Sequence, residues 1–196
     1  MNKLSLSKVL GLALGCGALV LGAVTASSKD SHGNWGTVLH GHAGTTFILS
    51  PASYAGGPRT HTIDGVVRIS PLGDCTFHGI ATLVETATPG HYLITDGSFL
   101  FTTADGTSSL TASAEGTGTV NPANPYMLDF QYDVTFTGGT GSLAGARGYG
   151  KIHDGLAYFT SCDLVQPGGD SVCEGIVPEG ANTGKACWLL DADLDN

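Results

Sequence analysis

From His61 to about Phe159, apolar or small residues alternate with polar ones. A period of two sustained over that length restricts the chain to β-strands with one buried and one wet face. His61, Ile63, Gly65, Val67 and Ile69 alternate with Thr62, Asp64, Val66, Arg68 and Ser70. Cys75, Phe77, Gly79, Ala81 and Leu83 form the next face, and Leu110, Ala112, Ala114, Gly116 and Gly118 another. The cleanest run sets Tyr126, Leu128, Phe130, Tyr132, Val134 and Phe136 against Met127, Asp129, Gln131, Asp133 and Thr135. Shorter runs are Tyr92 to Ile94, Ser98 to Phe101, Tyr149 to Ile152 and Leu156 to Phe159.

Turn chemistry punctuates these runs. Pro71-Leu72-Gly73-Asp74, Pro89-Gly90, Asp96-Gly97, Asp105-Gly106, Gly138-Gly139-Thr140-Gly141 and Asp154-Gly155 all read as turns or hairpins. Outside the N-terminal segment no 3.6-residue apolar stripe is present. The expectation is an all-β fold, a single antiparallel β-barrel of about eight strands, because closure removes exposed edges. A two-sheet β-sandwich is the alternative.

Four regions are expected. Residues 1–26 read as a signal peptide: Lys3 and Lys8, then a mostly apolar run from Val9 to Val24, then Val24-Thr25-Ala26 as a cleavage site. Residues 27–60 form a Gly-rich lead-in with one possible strand, Thr45 to Leu49. Residues 61–160 are the barrel core. Residues 161–196 read as an irregular tail containing Cys162, Cys173 and Cys187. The predicted location is secreted or periplasmic, with no membrane association once the signal is removed.

Processing would leave six Lys and Arg against 17 Asp and Glu, a net charge of −11. That balance provides no basic footprint for nucleic acid and repels anionic surfaces. It would also leave four cysteines, Cys75, Cys162, Cys173 and Cys187. An even count in an exported chain reads as two disulfides with three possible connectivities. Cys162–Cys173 with Cys75–Cys187 is the preferred pairing, because the second bridge would staple the tail to a strand.

The predicted inner faces are uneven, with aromatic-rich strands beside strands rich in Gly and Ala. Either large side chains fill the space left by small ones, or a small apolar cavity is lined by aromatics. The ligand-pocket candidates are Phe77, Tyr92, Phe99, Phe101, Tyr126, Phe130 and Tyr132. His40 and His42, with His32 before them, read as polar residues of a mobile arm. His61, His78, His91 and His153 read as scattered over separate strands. Asp129, Asp133 and Glu115 belong to wet faces, and Arg68 and Arg147 are expected to pair with nearby carboxylates. No nucleophile elbow, Walker loop, HExxH or EF-hand pattern is present. No catalytic residue, metal site or cofactor is assigned.

The run Phe136-Thr137-Gly138-Gly139-Thr140-Gly141-Ser142-Leu143-Ala144-Gly145-Ala146-Arg147-Gly148 resembles a hairpin of the allene oxide cyclase and dirigent-type barrel superfamily. Asp96 to Gly106 and Val66 to Gly73 resemble segments of bacterial secreted members. The resemblance covers roughly residues 61–160 and implies a barrel. Plant allene oxide cyclases steer cyclisation of an oxylipin epoxide, and dirigent proteins steer radical or quinone-methide coupling. The expected function is that of a non-catalytic secreted barrel binding a small apolar ligand. The alternative is a cyclase- or dirigent-like catalyst of a reactive small molecule.

Overall fold

The computed structural model describes residues 36–50, 57–162 and 182–195, the side chains of Pro125, Thr160, Ser161, Cys162 and Asn182 excepted. Eight strands follow one another: β1 (Thr37–Leu49), β2 (Arg59–Ser70), β3 (Gly73–Glu85), β4 (His91–Thr103), β5 (Ser109–Asn121), β6 (Asn124–Thr140), β7 (Arg147–Cys162) and β8 (Asn182–Asp195). Each pairs antiparallel with the next, and β8 pairs with β1 to close the barrel. Closure leaves no unpaired edge.

The strand count agrees with the sequence reading, but the boundaries do not. Asp96-Gly97 and Asp154-Gly155 are not hairpin turns. Each is a β-bulge inside one continuous strand, β4 or β7, where the register with both neighbours slips. Asp96 (φ 53°) and Asp154 (φ 48°) take the left-handed conformation that Asp tolerates better than most side chains. The glycine that follows admits a close neighbour: a Cβ on Gly155 would lie 2.5 Å from the Phe130 carbonyl oxygen and ring edge. Gly155→Ala should therefore cost roughly 1–3 kcal/mol, read by chemical denaturation.

Merging those four short runs into two strands leaves six. The other two come from regions read as peripheral. The lead-in holds β1, thirteen residues long, so His40 and His42 sit on a strand rather than a mobile arm. The expected irregular tail holds β8, whose outward Asp191, Asp193 and Asp195 alternate with buried Leu190, Ala192 and Leu194. The barrel wall thus runs from Thr37 to Asp195, not from 61 to 160.

The proposed staple is also corrected. Cys75 is a free thiol buried on the inner face of β3. Cys187 lies on β8 between inward Ala186 and Trp188, so it belongs to the outer face. With β2 and β1 between their strands and the barrel wall between their side chains, the two cannot bond. The Cys162–Cys173 bridge falls outside the described side chains. What holds β8 is its ladder to β1 and β7 and the burial of Trp188, Leu190 and Leu194.

Rings fill much of the barrel's inside. Phe77 packs at 5.2 Å from Phe99, 5.0 Å from Phe101 and 5.1 Å from Trp188, centroid to centroid. Phe99 continues to Tyr132 at 5.2 Å, and Tyr132 to Phe130 at 5.7 Å. These edge and tilted contacts suit the quadrupoles of the rings. The small residues face them: a Cβ at Gly79 would touch the rings of Phe77 and Phe99 at 3.0 Å, and one at Gly184 would run into Phe47. Large side chains therefore occupy the space the glycines leave, which is the complementary-packing reading of the uneven faces.

Candidate functional site

A few polar side chains break the apolar interior. They are Thr45, Arg59 and His61 on β1 and β2, Tyr92 on β4, Ser108 just before β5 and Tyr132 on β6. Arg59 and His61 stand at the start of β2, the end of the barrel from which β4 and β6 also start. Tyr92 is the second residue of β4 at that end, and Tyr132 lies eight residues into β6, deeper in the barrel.

Arg59 is 4% exposed, and its Nε donates to the Ser50 carbonyl at 2.7 Å. Burial lowers its guanidinium to about 10, against the opposing pull of Tyr92. His61 packs edge-on against Phe47 at 5.3 Å, and Phe47 against Phe159 at 5.2 Å. Burial pushes the His61 imidazole down to about 4, so it is neutral at physiological pH. Burial pushes the Tyr132 phenol well above its ordinary value.

Two of these atoms stand out. Among the described residues, His61 Nδ1 and the Tyr132 hydroxyl are buried with no hydrogen-bond partner. An orphaned polar group costs about 1–3 kcal/mol, and native proteins carry few of them. An imidazole nitrogen and a phenol would hold a hydroxyl, a carbonyl or a water. Burial keeps both groups uncharged at neutral pH.

The predicted pocket residues divide. Phe77, Tyr92, Phe99, Phe101, Phe130 and Tyr132 are all buried on the inner face. Tyr126 is 40% exposed, at the rim where β6 leaves its hairpin with β5, and does not line the interior. Sequence reasoning set His61 aside among scattered histidines and placed Arg59 in the lead-in. The signal that could have found His61 was its place as the first member of an apolar face.

A second polar cluster lies on the outside. His40 Nδ1 meets Asp191 Oδ1 at 2.6 Å, and His153 Nε2 meets Asp191 Oδ2 at 2.9 Å. His153 Nδ1 meets Asp154 Oδ2 at 3.0 Å. His78 pairs with Asp64 at 2.7 Å, Arg68 with Asp74 at 3.6 Å and Lys151 with Asp133 at 3.5 Å. A shallow concavity of about 100 Å³ beside His153 is bordered by Thr117, Gln131, Asp133 and Lys151. Glu115, Asp129 and Asp133 are exposed, as wet-face residues should be. Among the described residues, no group of three or more His, Cys, Asp or Glu side chains has the arrangement of a metal site.

No protein-family model matches the chain, and no curated protein is significantly similar to it. The likeness to allene oxide cyclase and dirigent-type barrels therefore rests on sequence motifs alone. Its glycine-rich hairpin joins β6 to β7 through a short 3₁₀ turn, Gly141–Leu143. In that turn Ser142 N donates to Ser108 Oγ at 3.0 Å, which ties the hairpin to the residue just before β5.

Proposed function

We propose that the protein is an exported, non-catalytic barrel that binds a small, mostly apolar molecule bearing a hydroxyl or carbonyl group. The observation that carries this reading is the pair of atoms left without a partner among the described residues, His61 Nδ1 and the Tyr132 hydroxyl, in an interior lined mostly by rings and aliphatic side chains. A ligand's polar atom meeting either one would remove its desolvation penalty. The apolar remainder would lie against Phe47 and Phe159, whose packed rings would have to part to admit it.

Binding is favoured over a cyclase- or dirigent-like reaction because His61 is a weak base and Tyr132 a weak acid in this interior. The outward face carries Asp64, Glu115, Asp129 and Asp133. A lipid-facing barrel wall is apolar instead, so these carboxylates support a protein surrounded by water. Export rests on the N-terminal segment, which lies outside the described residues.

Native mass spectrometry of the protein purified gently from its own host tests the reading. A discrete extra mass, released on denaturation and reduced in His61→Phe and Tyr132→Phe variants, is the expected result. Bare polypeptide from both parent and variants would overturn it, as would a co-purifying mass equally abundant in all three.

A further inference from the structure

We propose that His153 is a proton-dependent latch that holds the β7 bulge against β8. The geometry requires it to be an imidazolium. Carboxylate oxygens only accept hydrogen bonds, and His153 places one ring nitrogen on Asp154 and the other on Asp191. Both contacts exist together only when both nitrogens carry hydrogen. A neutral imidazole has one N–H, so loss of the proton to solvent must release either Asp154 or Asp191.

The two carboxylates are not equivalent. Asp154 is the left-handed residue of the bulge itself, and Asp191 belongs to the closing strand β8. Asp191 also accepts from His40 of β1, so this cluster crosses the seam where the first and last strands meet. The bulge leaves Asp154 outside the regular pairing with both β6 and β8, and Gly155 outside the pairing with β8, so side-chain contacts substitute there for ladder bonds. On the inner side, Gly155 lies against the Phe130 ring, so a change at the bulge reaches the core directly.

The charged surroundings favour the imidazolium. From β7 come Lys151 and Asp154, from β6 Asp133, from β8 Asp191 and Asp193, and from β1 His40 and His42. Lys151 and Asp133 pair with each other, which leaves Asp154 and Asp191 facing His153. Burial pulls His153 down, but the hydrogen bonds and charges of Asp191 and Asp154 outweigh it and the imidazole titrates above its ordinary value. The stabilisation is therefore full below the ordinary histidine range. It is lost as pH rises through the raised value.

An NMR titration of the full exported chain tests the latch. The expected result is one shared midpoint for the His153 ring signals and the Asp154 and Gly155 amides. That midpoint should fall by about half a pH unit or more in Asp191→Asn and in Asp154→Asn. Bulge amides that stay still while His153 titrates would overturn the proposal. So would a midpoint that neither substitution moves. The titration of the parent chain decides the question even where a substitution weakens folding.

Discussion

A His61→Phe variant should resist acid better than the parent chain, by about 3 kcal/mol at pH 4. The parent's imidazole has an ordinary value of 6.5 and is lowered to about 4 in the barrel. Above pH 6.5 the ring is neutral in both folded and unfolded chains, and its titration contributes nothing. As pH falls below 6.5 the unfolded chain takes up a proton that the folded chain refuses. Stability then drops by about 1.4 kcal/mol per pH unit and levels off near pH 4. Phenylalanine keeps an aromatic ring against Phe47 and removes both the titration and the orphaned nitrogen. Denaturant unfolding at pH 7.5 and pH 4.5 checks this: the gap between variant and parent should widen on acidification. A gap of the same size at both values would mean that His61 reaches solvent.

His153 acts in the opposite sense, and the two histidines set a window. Stability linked to His61 is lost as pH falls below 6.5, and stability linked to His153 is lost as pH rises through its raised value. The interior group has the larger effect, because His153 and Asp191 are partly solvated and exposed ion pairs are worth little. A buried titratable group that weakens the fold in acid calls for a compensating use. The proposed ligand contact supplies one, and a gain in stability with a loss of binding in His61→Phe is the trade-off expected of a functional residue.

The period-two faces predicted strands, side-chain direction and the aromatic interior, because burial of one face is a local property of strand geometry. Strand ends were less legible. Asp-Gly is the strongest short hairpin signal, yet the same pair builds a bulge when the strand continues beyond it. Only pairing with neighbours distinguishes the two, and pairing is non-local. β8 was hidden for a related reason. The 161–196 segment that contains it is rich in Gly, Pro and Asp and looks like loop, and β8 becomes a strand because β1 and β7 each offer it an edge. The outer cluster was invisible without register: His40, His153 and Asp191 are separated by up to 151 positions and meet only where β1, β8 and β7 lie side by side. The place of His61 on an apolar face is legible in the alternation, but its lack of a partner among the described residues is not, because that depends on what the other strands bring to it.

Phe77→Ala should destabilise the barrel by about 3–5 kcal/mol, the range for truncating a buried aromatic. Phe77 is 3% exposed and touches Phe99, Phe101 and Trp188, so its ring joins β3, β4 and β8 across the interior. Losing it removes its transfer free energy and leaves a void that the stiff rings around it cannot collapse to fill. Leu100→Ala on the outward face of β4 serves as the comparison, since a solvent-facing truncation there should shift stability by no more than about 0.5 kcal/mol. Denaturant unfolding followed by tryptophan fluorescence measures both, because one of the two indoles, Trp188, sits against the ring removed. A cost below about 1 kcal/mol would mean that Phe77 faces open space, as it would in a barrel hollow through its middle. The full cost would place the packed hub at Phe77 and leave the His61 end of the barrel as the part able to yield to a ligand.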